Sequence, residues 1–201
     1  RNIILLGLGL SYDAGDHAEI YANISQNYRS VTFNDIRVNQ PGFRVDPNIT
    51  DEKGYTADLG IRGKFKKVVS YDLGFFWLRY KNRIGFVNRE VNALSDERLR
   101  GNIGDAYMVG LESLIDWDVK NTFFAGREQF KLNLFANTSL TRSEYTQSEQ
   151  NNVEGNEVEF VPFINLKTGF RFGYKNLLGS FQYTYVSSQF TDATNAPQDR
   201  N

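Results

Sequence analysis

Apolar and polar residues alternate along most of this chain, which is the pattern expected of β-strands with two unlike faces. The clearest run covers residues 53–65. Leu59 and Ile61 share one parity of this run. Asp58 and Arg62 share the other. Apolar stripes at helical spacing are hard to find, so the chain is predicted to be all-β. Eight segments show the alternation: residues 3–12, 19–31, 53–65, 69–87, 107–119, 130–144, 162–174 and 178–191.

The alternation changes phase once, within residues 69–87. Apolar residues lie on the parity of Leu73 in the first part of this segment and on the parity of Tyr80 in the second. A slip of one register is what a β-bulge produces. We therefore expect one strand with a bulge near Trp77 and Leu78, or a strand that runs into a loop.

The segments between the predicted strands alternate between short and long without exception. In chain order they are residues 13–18, 32–52, 66–68, 88–106, 120–129, 145–161 and 175–177. In an up-and-down meander, the short turns then lie at one end of the sheet and the long polar loops at the other. Outer-membrane barrels have this asymmetry, and the predicted strands exceed the roughly 5–6 residues typical of soluble sheets. The pattern predicts an antiparallel up-and-down transmembrane β-barrel, with a soluble antiparallel sheet as the alternative.

Composition removes several classes of function. Lys and Arg number 23 against 24 Asp and Glu, so the chain lacks the basic surface that nucleic-acid binding needs. With no Cys, the chain has no thiol nucleophile. With His17 as its single His, multi-His zinc sites and His-based triads are also excluded. We expect no catalytic residue, no metal site and no cofactor. The chain begins with Arg1 and not Met, so we expect a piece of a longer protein.

The polar parity of the predicted strands carries many charges, which suit a wide lumen holding water or a polar protein element better than a dry interior. Its members are Asn23, Ser25, Asn27, Asp58, Arg62, Lys64, Glu112, Asp116, Asp118, Lys131, Asn133, Lys167, Arg171, Gln182 and Thr184. Aromatic residues gather near the strand ends, where interfacial girdles would lie. These residues are Tyr28, Phe33, Phe123, Phe124, Phe160, Phe163, Tyr174 and Phe190.

Five segments carry a resemblance to a known family. In order they are residues 19–29 (EIYANISQNYR), 32–38 (TFNDIRV), 46–64 (DPNITDEKGYTADLGIRGK), 102–112 (NIGDAYMVGLE) and 170–195 (FRFGYKNLLGSFQYTYVSSQFTDATN). Together they resemble the barrel of TonB-dependent outer-membrane receptors, most closely the ferric-citrate receptor type. The resemblance spans nearly the whole chain.

The resemblance implies a 22-stranded barrel in the outer membrane of a Gram-negative bacterium, plugged by an N-terminal domain. It implies import of a ferric chelate such as ferric citrate or a siderophore, driven by the TonB–ExbB–ExbD complex acting on the plug. Residues 1–201 correspond to about eight strands of that barrel, and the plug and C-terminal strands have no counterpart here. Three other interpretations stay open. They are a complete eight-stranded barrel with an adhesive or structural role, a TonB-dependent importer of a saccharide or cobalamin, and a soluble meander that binds a lipophile.

Three arginines in or beside the long 32–52 connection are the candidate ligand-binding residues: Arg29, Arg37 and Arg44. Arginine binds carboxylates bidentately, and ferric citrate and most siderophores are anionic, so we hypothesise that these residues collect the chelate. Solvated surface charge is the alternative.

Two acidic groups are better explained without a special site. Asp46, Asp51 and Glu52 fit no calcium-loop spacing and are interpreted as a solvated turn. Glu112, Asp116 and Asp118 share a strand parity and are interpreted as a charged lumen wall and not as an acid–base pair. A third group, Lys64, Lys66 and Lys67, lies at a short turn and is expected to contact lipid headgroups or the plug.

Overall fold

The computed structural model describes residues 2–15, 17–37, 41–92 and 95–196. In chain order the elements are β1 (Gly7–Asp13), β2 (Ala18–Arg29), α1 (Phe33–Ile36), β3 (Phe43–Val45), β4 (Glu52–Phe65), β5 (Val69–Asn92), β6 (Ser95–Asp118), α2 (Val119–Phe123), β7 (Phe130–Gln147), β8 (Ile164–Tyr174) and β9 (Leu177–Val186). Neither helix within these ranges is long and apolar enough to span a membrane.

Eight strands form one antiparallel meander in the order β1-β2-β4-β5-β6-β7-β8-β9, as the alternation predicts. The short strand β3 lies off this path and pairs in parallel with β6, from Phe43 beside Arg98 to Val45 beside Arg100. Among the described residues β1 and β9 are not paired with each other, so the sheet is open.

The connections fall at two ends of the sheet. The turns between β1 and β2, β4 and β5, β6 and β7, and β8 and β9 lie at one end, which we call the turn end. The longer connections after β2 and β7 lie at the other, which we call the loop end. The prediction of a loop over residues 88–106, between β5 and β6, is wrong. Both strands continue through it and stay paired as far as Asn92 beside Ser95.

The predicted bulge is also misplaced. Trp77 and Leu78 pair without interruption with Val109 and Met108. The register shifts between Tyr80 and Ile84 and again between Glu90 and Asn92. The hydrophobic parity changes at Leu78 for another reason. Leu78 lies on the otherwise polar face and pairs with Met108, which packs against the buried apolar cluster at the loop end. This face therefore becomes apolar at Leu78.

The two faces of the sheet differ sharply. Cross-strand pairing places one set of large apolar side chains on the same face, where all of them are exposed to solvent in this chain. This apolar face includes Leu10, Ile24, Leu59, Phe75, Leu111, Leu140, Phe172 and Phe181. The opposite, polar face carries the charged positions predicted to line the lumen. Residues in register, such as Glu19, Arg62 and Asp72, share that face.

A buried core lies at the loop end and not between the faces of the sheet. Its members come from the extended β5–β6 hairpin, from β7 and from the segments that follow β7 and β9: Val87, Leu99, Ile103, Ala106, Tyr145, Val153, Val158 and Ala193. Backbone hydrogen bonds join these parts, including the one from the Ala193 N–H to the Phe86 carbonyl (3.1 Å). The loop end is therefore a packed structure and not a set of free loops.

Candidate functional site

A cleft of about 480 Å³ opens on the polar face at the loop end. Its charged lining comes from four strands and from the connection after β7: Arg29, Glu52, Lys53, Arg83, Arg100 and Glu159. Tyr80, Phe86 and Phe160 contribute aromatic walls. We call this the loop-end cleft.

Asp35 on α1 joins two of the arginines of the cleft. Its Oδ1 accepts hydrogen bonds from Arg29 (2.7 Å) and Arg100 (2.6 Å), and its Oδ2 accepts from the Thr32 N–H (2.9 Å) and hydroxyl (2.7 Å). The residue is 1% exposed. Burial raises the pKa of Asp35, but the hydrogen bonds from Thr32, Arg100 and Arg29 outweigh burial and hold this pKa well below its usual value. The carboxylate is therefore charged at neutral pH.

The two carboxylates that line the cleft, Glu52 and Glu159, are also paired. Glu52 accepts from Arg29 (3.0 Å) and from the Ile84 N–H (2.5 Å). Glu159 accepts from the Tyr145 hydroxyl (2.7 Å) and forms an ion pair with Arg83 (3.5 Å). These buried carboxylates position the guanidinium groups, since a buried charge is costly unless a partner holds it.

Two arginines, Arg98 and Arg100, lie over the ring of Phe86. The guanidinium groups of Arg98 and Arg100 lie 4.5 and 4.4 Å from its ring centroid. Arg98 also lies over Phe43 on β3 (5.6 Å) and donates to the Thr191 carbonyl (2.9 Å). The buried Nε atoms of Arg83 and Arg98 have no hydrogen-bond acceptor among the described residues. Each of these N–H groups could donate to an additional acceptor.

The three predicted arginines occupy different places. Arg29 lines the cleft, whereas Arg37 ends α1 and lies over the Phe33 ring (5.8 Å). Arg44 on β3 is largely exposed and forms an ion pair with Glu97. In the described part of the chain no contact joins any two of the three. Arg83, Arg100 and Glu159 were missed because their positions depend on pairing and folding of segments predicted to be strand ends or loops.

The acidic groups considered from the sequence have structural partners. Asp46 accepts from the Asn48 N–H (2.8 Å), and Asp51 accepts from the Tyr28 hydroxyl (2.5 Å). No group of three His, Cys, Asp or Glu side chains within the described residues is arranged to hold a metal ion. On the polar face, Asp116 binds Arg171 and the Asn133 amide, and Asp118 caps α2. These contacts fit a charged wall.

A family model described as "TonB dependent receptor-like, beta-barrel" matches residues 3–200. The chain belongs to the TonB-dependent receptor family. The resemblance noted from five sequence segments is thereby confirmed at the level of the family. A search of the curated proteins found no match.

Solved structures of TonB-dependent receptors and other transporters share the fold. The unliganded ferric citrate transporter FecA is 20% identical with a TM-score of 0.71, over 98% of this chain and 27% of that one. The ferric yersiniabactin uptake receptor FyuA from Yersinia pestis is 20% identical with a TM-score of 0.66, and the match covers 94% of this chain and 26% of that one. The copper transporter OprC is 15% identical with a TM-score of 0.69, and the match covers 93% of this chain and 27% of that one. These likenesses show the fold alone.

The TonB-dependent receptor chain spans about a quarter of the length of these solved structures. The sheet is therefore a partial, open section of a larger receptor barrel. The family and these structures are receptors and transporters and not enzymes.

Proposed function

We propose that residues 1–201 form part of the barrel wall of an outer-membrane importer for a ferric chelate in a Gram-negative bacterium. The supporting observation is the match to the receptor-barrel family over residues 3–200, on a sheet with one exposed apolar face and one charged face. Ligand binding, the plug and energy from TonB–ExbB–ExbD belong to the whole receptor and are part of the proposal.

The faces of the sheet support the membrane placement. Leu59 and Leu111 on the apolar face are 55% and 57% exposed in this chain, which is costly in water and favourable against lipid. The polar face would then line the lumen. Its charges, such as the Arg62–Glu19 pair (3.0 Å), would contact water or a plug. The loop-end cleft lies at the mouth of that lumen.

The chemistry of the loop end supports an anionic cargo. Arg37 and Arg44 present guanidinium groups outside the cleft, and Arg83 and Arg98 have buried Nε–H groups free to donate. Arginine recognises carboxylates through paired hydrogen bonds, and citrate carries several carboxylates. In this proposal Arg37 and Arg44 meet the chelate first, and Arg29 holds the cleft in shape.

A second cargo is a metal other than iron. The similarity to the copper transporter OprC, with a TM-score of 0.69, is nearly as strong as that to FecA. The cleft itself offers paired carboxylates and arginines and not a cluster of metal ligands within the described residues. The ferric chelate is therefore the first choice.

Uptake by the native bacterium tests the function. We expect deletion of the gene that encodes this chain to abolish uptake of ⁵⁵Fe supplied as ferric citrate or as one of a panel of ferric siderophores. Deletion of tonB should have the same effect on the same chelate. Unchanged uptake of every ferric chelate, together with loss of copper uptake, would select the second cargo. Unchanged uptake of all of them would contradict an importer of either kind.

The arginine hypothesis has its own test. Replacing Arg37 and Arg44 together by Ala should raise the chelate concentration needed for half-maximal uptake by about tenfold, since two exposed ionic contacts are lost. Arg127→Ala is the matched control, because Arg127 lies over Phe124 (5.7 Å) much as Arg37 lies over Phe33, but at the turn end. Equal uptake by all three proteins would show that the two arginines are only solvated surface charge.

A further inference from the structure

The helix α1 is attached to the sheet mainly through one side chain. Asp35 is its buried residue, whereas Phe33 and Ile36 are 68% and 52% exposed, so the apolar side chains of α1 add little packing. The hydrogen bonds that Arg29 and Arg100 donate to the Asp35 carboxylate tie the helix to β2 and β6. A helix of four residues has little stability of its own, so its position depends on these bonds.

The two arginines are positioned by other groups as well as by Asp35. Arg29 also donates to Glu52 (3.0 Å), and the Arg100 guanidinium lies 4.4 Å from the centroid of the Phe86 ring. Both guanidinium groups therefore keep a partner when Asp35 leaves. Two arginines held close together in this way form a site prepared for a carboxylate.

The loop-end cleft gives an external anion access to the same two arginines. Arg29 and Arg100 line the cleft with two further cations, Lys53 and Arg83, and with two carboxylates. The cations of the lining thus outnumber its carboxylates, and the Nε–H of Arg83 has no acceptor among the described residues. A ligand with several carboxylates can bind the arginine pair and Arg83 together, whereas a ligand with one carboxylate can bind only one of these groups.

We infer that Arg29 and Arg100 form a carboxylate-binding site that the chain's own Asp35 occupies in the free protein, and that a polycarboxylate ligand displaces Asp35 from this site. Asp35 belongs to the same chain, so its effective concentration at the site is high and it excludes weakly bound anions. A polycarboxylate gains the contact with Arg83 in addition, which offsets the hydrogen bonds lost from Asp35. The internal carboxylate therefore selects ligands with several carboxylates over simple acids such as acetate.

The inference rests on the proposed function for the kind of ligand, since it takes the cargo to be a chelate that carries carboxylates. It deepens that proposal, because it gives the cleft an internal competitor and a preference among anions. Displacement also releases α1 from β6, while β3 keeps its own pairing with β6. We therefore expect the release to be local, at residues 32–37.

The test uses the receptor that contains this chain, purified from outer membranes, with iron-free citrate and acetate as probes. Asp35→Asn removes the competing charge. Asp46→Asn is the matched control, because it removes the same charge from the same connection, at a carboxylate that accepts from the Asn48 N–H (2.8 Å). Titration calorimetry gives the affinity of each protein for each probe. Amide hydrogen exchange of residues 32–37 in the wild type measures the release of α1.

We expect Asp35→Asn to bind citrate about tenfold more tightly than the wild type does, because the site no longer has to release its own carboxylate. Asp46→Asn should bind citrate as the wild type does, and acetate should bind measurably to Asp35→Asn alone. Saturating citrate should speed the exchange of residues 32–37 in the wild type. Equal or weaker citrate binding by Asp35→Asn would mean that Asp35 only positions the arginines, and would overturn the inference. Unchanged or slower exchange would overturn the displacement.

Failure of this inference can be told apart from failure of the proposed function. If neither the wild type nor Asp35→Asn binds citrate, the carboxylate site is wrong, but gene-dependent uptake of a ferric siderophore without carboxylates would still support the importer. If no ferric chelate depends on the gene for its uptake, the importer is wrong whatever the citrate titrations give.

Discussion

Asp35 anchors the connection after β2 to the sheet. The four hydrogen bonds to its carboxylate come from Thr32 on its own turn, from Arg29 on β2 and from Arg100 on β6. Both arginines also make other contacts, to Glu52 and to the Phe86 ring. One buried carboxylate therefore sets the position of α1 and the shape of the loop-end cleft together.

The lowered pKa of Asp35 predicts how this anchor responds to acid. A carboxyl whose pKa is lower in the folded than in the unfolded state stabilises the fold above its unfolded value, here 3.8, and loses that contribution as the pH falls below it. Amide hydrogen exchange of residues 32–37, corrected for intrinsic rates, should thus stay slow at pH 5–7 and quicken only below about pH 4. Asp35→Asn should exchange quickly throughout, and protection that fades between pH 5 and 7 would contradict the assignment.

The sequence indicates Arg29 as a candidate because this residue lies beside a long polar connection. The sequence does not predict that Arg29 binds Asp35 and Glu52. Its partner Asp35 is also held by Arg100, which is 65 residues away along the chain. Such an arrangement depends on which strand lies next to which. A single sequence gives the charge of each residue and its strand parity, and it does not give the partner across the sheet.

At the scale of elements, alternation is reliable where a strand has one apolar and one polar face. β4 and β8 are of this kind, and their predicted extents agree closely with Glu52–Phe65 and Ile164–Tyr174. The outer half of the β5–β6 hairpin is different. Its side chains there pack into the loop-end core, as Val87 and Leu99 do, so a polar sequence with scattered apolar residues still forms paired strands.

Aromatic rings cover glycines on the polar face of the sheet. A Cβ would collide with such a ring at three positions: Gly60 under Tyr21, Gly110 under Phe76 and Gly169 under Phe135. The Tyr21 hydroxyl donates to Asp72 two strands away (2.8 Å), so the ring lies across β4. Glycine leaves room for the ring that joins β2 to β5.

Gly60→Ala should therefore loosen the pairing of β2, β4 and β5. The new Cβ would overlap the Tyr21 ring and lie 2.8 Å from the Leu73 carbonyl oxygen. We therefore expect the free energy of unfolding to fall by about 1–3 kcal/mol, as at other overpacked sites. The temperature at which the folded, fast-migrating band disappears on a gel measures this. Gly126→Ala is the control, because a Cβ at Gly126 meets nothing within 4 Å. Equal temperatures for the two variants would contradict the role given to Tyr21.

As a whole molecule, the chain forms a single layer of strands within its described residues. The largest buried cluster lies at the loop end, while the middle of the sheet has no second layer packed on either face within the described residues. Large apolar side chains cover one of those faces and charged side chains the other. In the proposed receptor, lipid would cover the first face and a polar lumen would lie against the second.

Two neighbouring residues of β4 test this arrangement directly. Leu59 lies near the middle of the apolar face and Asp58 on the polar face, one residue apart and at the same depth. Leu59→Arg should cost about 2–4 kcal/mol in a folding equilibrium measured in vesicles, because it places a charge in the centre of the bilayer. Asp58→Arg introduces the same side chain into the lumen and should change stability far less. A soluble sheet would tolerate both changes alike, since Leu59 is already half exposed there. Equal stabilities would therefore contradict the membrane placement, and the reverse order would mean that the two faces are assigned the wrong way round.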